Sequence, residues 1–149
     1  VSTRTEARDA VLGAVRAAWL ANGTTAPIAM HWDDVASDPT GHDAQGLPLP
    51  WARASVRFLA SPVEAHGNNE AKHLTEGILT VQLFAPFGDG HKLGDELAEV
   101  LEVAFRARRI GDLWFYGARS PEVGREGPWF RTDFVANFRF EERVVLVGF

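Results

Sequence analysis

Residues 77–97 read GILTVQLFAPFGDGHKLGDEL. Leu79, Val81 and Leu83 alternate with Thr80, Gln82 and Phe84, the period of two that sends one set to a core and the other to the opposite face. Pro86 closes the run and Gly88 and Gly90 turn the chain. An apolar stripe at helical spacing then opens: Leu93, Leu97, Val100, Leu101, Ala104 and Phe105. The expected strand covers 74–86 and the expected helix about 91–109, with RARR (106–109) at the C-terminal end, where the helix dipole favours cations. A strand thus passes through a short glycine loop directly into a helix.

Phosphate-binding loops share that order, so the spacing decides. A P-loop requires G-x-x-x-x-G-K-[ST]: backbone amides to wrap the phosphates, a lysine, and a hydroxyl for magnesium. Here Gly88-Asp89-Gly90 is followed by His91-Lys92-Leu93, which is too short, lacks the hydroxyl, and places a carboxylate against the anion. The dinucleotide pattern G-x-G-x-x-G fails as well, because Gly94 stands one position too far along. The loop reads as a joint between two elements.

Outward from this joint, the chain alternates helices with strands. Thr3 to Glu6 has the T-x-x-E form of a capping box; Val11, Leu12, Val15, Ala18 and Trp19 form a helical stripe, and Asn22-Gly23 ends it. Residues 27–35 form a candidate strand and 37–50 a loop rich in proline, glycine and aspartate. In 51–61, Ala52, Ala54, Val56 and Phe58 oppose Arg53, Ser55 and Arg57. The polar stretch 62–73 reads as a projecting loop, too long for a tight hairpin. Strands are expected at 113–120 and 128–143, joined by a glycine-containing loop. In the latter, Phe130, Phe134, Ala136, Phe138 and Phe140 share one face and Arg131, Asp133, Asn137 and Arg139 the other. The apolar VVLVGF (144–149) follows, either as a last strand of the core or as a surface covered by a neighbouring subunit. The expected fold is a single α+β domain over 1–149: two layers, a largely antiparallel sheet with both helices packed on one face.

With 149 residues, a 46% hydrophobic share and a formal net charge of -5, the chain suits one globular domain and not a protein whose main task is gripping nucleic-acid phosphates. It holds no cysteine, which removes disulfides, thiolate metal sites and cysteine nucleophiles. A cytosolic, disulfide-free origin fits that absence of cysteine; VSTRTEARDAV lacks the apolar core of a signal peptide, and no apolar run approaches membrane-spanning length.

Chemistry-bearing constellations are sparse. His31 near Asp33 and Asp34, and His42 beside Asp43, allow a metal site to be imagined, but no H-x-x-x-H or H-E-x-x-H pair occurs. Adjacent carboxylates such as Glu141-Glu142 point to opposite faces of a strand, and no serine sits in a G-x-S-x-G elbow. The expectation is no catalytic residue, no metal and no cofactor. Trp114, Phe115, Trp129 and Phe130 lie close to Arg119, Arg125 and Arg131, the mixture of a single-strand nucleic-acid platform. The favoured alternative has the aromatics filling the core while the arginines pair with the chain's excess acids.

Three stretches together carry a family resemblance: the helix TRTEARDAVLGAVRAAW, the strand–loop–helix TEGILTVQLFAPFGDGHKLGDELAEVLEVAF, and the aromatic strand GPWFRTDFVANFRFEE. In this order they resemble the small tail-terminator (tail-completion) proteins of long-tailed bacteriophages and phage-like particles, including gene transfer agents. Pro86, Gly88 and Gly90 match the P-x-G-x-G turn of that family. The resemblance implies a structural virion protein, not an enzyme. It implies a homo-oligomeric ring, typically a hexamer, at the head-proximal end of the tail tube. Such a ring stops tube polymerisation and offers a docking surface for head–tail joining. Its partners would be further copies of itself, the tail tube protein and the head–tail connector or stopper. DNA would pass through the lumen without specific binding, and no membrane is involved. The protein would be made in the bacterial host cytoplasm and reside in the tail. Candidate assembly contacts are His66, Asn68, Asn69, Glu70 and Lys72 in the projecting stretch and Val147 and Phe149 in the apolar tail. The rival readings are a head-completion or tail-tube protein and, from a different class, a small nucleotide- or ligand-binding module.

Overall fold

The computed structural model describes residues 3–32, 41–59, 63–67, 70–88 and 91–145; for 63–67, 70–73 and 143–145 the description is of the backbone. Among the described residues two helices, α1 (Arg4–Ala21) and α2 (Lys92–Phe105), accompany eight strands. The strands are β1 (Ala29–Trp32), β2 (Trp51–Phe58), β3 (Val63–Gly67), β4 (Glu70–Pro86), β5 (Arg109–Ile110), β6 (Leu113–Arg119), β7 (Glu122–Glu126) and β8 (Trp129–Val145). They form one sheet in the order β1-β2-β4-β8-β6-β5, with β3 on β4 and β7 on β8. All pairings are antiparallel except β1 with β2, which gives a mixed sheet and an α+β fold.

The centre of the sheet is the pair β4–β8, matched over 17 residues from Glu70↔Val145 to Pro86↔Trp129. Register follows from burial, because a slip of one residue would send every apolar side chain to the other face. Leu79, Val81 and Leu83 of β4 pair with Ala136, Phe134 and Thr132 of β8, and Ala54 and Ala52 of β2 pair with Val81 and Leu83. These side chains, with Phe115, Phe138 and Phe140, form the buried inner face. Both helices lie on it: Val11, Val15 and Trp19 of α1 and Leu97, Leu101 and Phe105 of α2 are fully or almost fully buried. Each such side chain contributes about 1.5–3 kcal/mol of transfer free energy.

Local chemistry sets the ends of α1. Thr3 is the N-cap, its Oγ1 accepting from the Glu6 amide at 3.1 Å, as the capping-box spacing requires. At the other end the Trp19 indole donates to the Ile28 carbonyl at 2.8 Å, and buried Thr25 Oγ1 donates to the Trp19 carbonyl at 2.5 Å. These bonds tie the helix exit to the start of β1.

Three expectations are corrected. α2 stops at Phe105, so RARR does not ride on its last turn; Ala107 adopts a left-handed φ of +50° and Arg109 begins β5. The chain reverses there because the next two strands must return to the sheet edge. The stretch 62–73 is no projecting loop: β3 pairs with β4 from Val63↔His73 to Gly67↔Glu70, leaving two residues between the strands. Between β6 and β8, a further strand, β7, forms a hairpin with β8.

Candidate interaction surface

The helices cover one face of the sheet, so alternate residues of every strand point the other way. Cross-strand partners share a face, which places Arg53 and Arg57 of β2, Arg109 of β5, Arg119 of β6, and Arg131 and Arg139 of β8 on this outer face. Glu76, Glu126, Asp133 and Glu141 are its carboxylates. Arg131 is neutralised locally: it grips Asp133 through two bonds of 2.8 and 2.9 Å and reaches Glu126 at 3.5 Å. The hydrogen bonds to Asp133 hold the Arg131 guanidinium above its ordinary range against the opposing effect of burial. Glu76 accepts from Tyr116 at 3.4 Å. Burial raises the Tyr116 phenol above its usual value, the Glu76 charge and hydrogen bond raise it further, and Arg139 opposes them. What remains is a surplus of arginine.

The arginines are layered on aromatics. Arg139 lies 4.0 Å from the centre of the Trp114 ring and 5.8 Å from that of Tyr116, while Arg109 lies 5.2 Å from Trp114. Arg53 lies 5.1 Å from Trp51. At one corner Trp51 stacks on Phe84 with centroids 4.0 Å apart, and Trp129 meets both edge-on. The loop at 41–50 closes over this corner. Trp129 donates to the Leu49 carbonyl at 2.9 Å, and Gly41, at φ +51°, sits where an added Cβ would come within 3.0 Å of the Trp129 ring. Beside it a cavity of about 340 Å³ is lined by Ile28, His31, Gly41, Leu49, Pro50 and Trp51. The buried Trp51 indole nitrogen has no hydrogen-bond partner among the described residues.

The helical side differs in charge. The exposed side of α2 carries Asp95, Glu96, Glu99 and Glu102, with Lys92 as its one cation. Between α1 and α2 runs a groove of about 460 Å³ with Ala18, Ala21, Val100, Val103 and Ala104 as its apolar part and Glu96 and Glu99 as its carboxylates. Val103 is 67% exposed, a large apolar side chain left in solvent.

Of the candidate contact residues, His66 lies in β3 and Glu70 and Lys72 in β4, brought side by side in one hairpin by the pairs His66↔Ala71 and Gly67↔Glu70. Asn68, Asn69, Val147 and Phe149 lie outside the described residues, while Val144 and Val145 extend β8. Asp33, Asp34, Asp89 and Gly90 also lie outside them. His31 and His42 make edge contacts with Trp51 and Trp129, and the Asp43 carboxylate accepts from the Gln45 and Leu47 amides. Among the described residues no group of three or more His, Cys, Asp or Glu is placed to hold a metal ion. No described helix is long and apolar enough to cross a membrane. The aromatic and basic mixture divides by parity: Phe115 fills the core, whereas Trp114 and Trp129 lie on the outer face. The sequence reading puts Arg139 on the polar face of its strand but does not single out Trp51 and Tyr116 as surface residues; the alternation of β2 and β6 is the signal that marks them.

No family model and no curated protein matches the chain. A solved structure shares its fold, with a TM-score of 0.50 and 14% identity over 87% of this chain and 94% of the other.

Proposed function

We propose that the chain is a structural subunit of a phage or phage-like tail, forming a ring at the head-proximal end of the tube and acting as its terminator. The observation that carries this reading is the outer sheet face. The core is complete on the helical side, yet among the described residues the sheet face of arginines and tryptophans is covered only at its Trp51–Trp129 corner, by the loop at 41–50. Half-buried tryptophan and arginine on one face is the composition of a surface that meets another macromolecule. The order of helix, strand–glycine turn–helix and aromatic strand, which resembles that of tail terminators, supports the reading. Assembly needs no catalytic group. One side of the ring would bind the last tube ring, and the other would present a different surface to the connector.

Negative-stain imaging and mass photometry of the purified chain test the reading. A discrete closed ring is expected, alone or on added tube protein. Filaments of stacked rings would favour a tail-tube subunit instead. A monomer that neither closes alone nor caps a tube would refute it. The cavity beside Trp51 favours the ligand-binding rival, for which calorimetry with ATP, GTP and NAD is the check; micromolar binding of any would displace the structural reading.

A further inference from the structure

The outer sheet face and the α1–α2 groove of this domain are complementary in charge. On the outer sheet face Arg53, Arg109 and Arg139 lie over tryptophan and Arg57 stands beside them, and among the described residues none of the four makes a carboxylate contact as close as that of Arg131 with Asp133. The helical side has a groove with an apolar floor, two carboxylates, Glu96 and Glu99, and the exposed Val103. An arginine stacked on tryptophan offers an apolar plane with a cation above it, and an apolar groove edged by carboxylates is its counterpart. We propose that the outer sheet face of one copy docks onto the α1–α2 groove of a second copy of this chain.

The geometry makes the contact heterologous. The two surfaces lie on opposite sides of a single sheet, so a copy that offers its sheet face to one neighbour still has its groove free for another. Repetition yields a closed ring if the rotation between copies closes, and an open filament if it does not. The patch is large enough. Four strands at about 4.8 Å spacing and eight residues at about 3.3 Å give a projected area of about 500 Å². Side-chain relief raises that toward the roughly 800 Å² per partner of a stable interface. This contact deepens the ring reading and rests on it only for closure.

A nucleic acid is the competing occupant of an arginine–tryptophan face. The second copy is favoured because the chain itself carries the matching acidic groove, and because its net charge of -5 opposes long-range attraction of phosphates.

The test uses two charge-reversed variants of the full chain. The sheet-face variant combines Arg57→Glu and Arg109→Glu, and the groove variant combines Glu96→Arg and Glu99→Arg. All four positions are exposed or half-exposed, and circular dichroism and melting curves check that each variant folds. Mass photometry and sedimentation at 50 mM salt should show at least a tenfold rise in the concentration at which each variant assembles. An equimolar mixture should assemble again, because the acidic sheet face of one now meets the basic groove of the other. Raising salt should weaken wild-type assembly. Variants that assemble like the wild type would overturn this docking while leaving a ring intact. Wild-type filaments abolished by the variants would support the docking and count against ring closure. A wild type that stays monomeric at every concentration and salt and does not assemble on added tube protein would overturn both. If the sheet-face variant loses binding to a fluorescent single-stranded oligonucleotide while assembling normally, the face is a nucleic-acid platform and the proposal is wrong.

Discussion

Gly77 provides the sharpest test of how this core is packed. It stands in β4 directly opposite Phe138 of β8, and its φ is not among the left-handed values of the chain, so conformational freedom is not why glycine is there. Space is the reason. A Cβ added at Gly77 would lie 2.2 Å from Phe138 Cζ, 2.7 Å from Cε2 and 2.8 Å from Cε1. Carbon atoms in ordinary contact stand about 3.5–4.0 Å apart, so the ring would have to retreat by more than about 1 Å. It cannot do so freely, because Phe138 is fully buried with Phe58 at 6.0 Å and Phe115 at 5.9 Å between ring centres. Overpacking of this kind costs about 1–3 kcal/mol, and the size of the overlap puts Gly77→Ala near the upper end. Restricting the unfolded chain returns about 0.5–1 kcal/mol. The expected net loss is about 2 kcal/mol, or a fall in melting temperature of about 4–8 °C for a chain of this size. Urea unfolding followed by tryptophan fluorescence, with thermal melting by circular dichroism, measures it. Phe138→Leu should cost stability alone through the cavity it leaves, but the double variant should lose less than the sum of the two singles, with a coupling of about 1 kcal/mol or more. A Gly77→Ala protein as stable as the wild type, or a strictly additive double variant, would refute the reasoning.

Other consequences are quicker to check. Tyr116 is the chain's single tyrosine, so phenolate absorbance reports it alone. Its titration midpoint in the native protein should lie above the usual 10.0 and fall to about that value in denaturant, and Glu76→Gln should lower the native midpoint. Because the folded pKa is the raised one, this tyrosine's contribution to stability is intact below about pH 10 and is lost as pH rises through the folded midpoint. Thr3→Ala removes the α1 cap and should destabilise the fold by about 1 kcal/mol, read from the urea midpoint at unchanged slope. Thr25→Val should cost about 1–3 kcal/mol by stripping the Trp19 carbonyl of its buried donor, whereas Thr25→Ser, which retains the hydroxyl, should cost less.

What could be seen in the sequence was whatever burial imposes as a period. β2, the inner part of β4, and β8 each alternate because one side faces the helices, and their faces fall where the alternation puts them. Where the pressure of burial ends, so does the signal. β3 and the outer end of β4 read VEAHGNNEAKH, with no apolar alternation to mark a strand, so a paired hairpin reads as a loop. From sequence α2 reads four residues too long because helix propensity and dipole both favour RARR, while the left-handed turn at Ala107 is a demand of the sheet edge and leaves no local mark. The parallel placement of β1 beside β2 is likewise a matter of topology, fixed by the anchoring of α1's exit through Trp19 and Thr25.

The interaction surface was hidden for a different reason. Arginine near tryptophan in a sequence is compatible with both a filled core and a recognition face, and only parity within the finished sheet separates Phe115 from Trp114. Once separated, they impose opposite constraints. Phe115 must keep its volume, since its ring packs against Phe105 and Phe138, whereas Trp114 tolerates substitution as far as the monomer is concerned and matters to whatever covers Arg139. A Trp114→Ala variant that melts within a few degrees of the wild type but fails to assemble would therefore assign the outer face to recognition. One that unfolds would return Trp114 to the monomer's own packing.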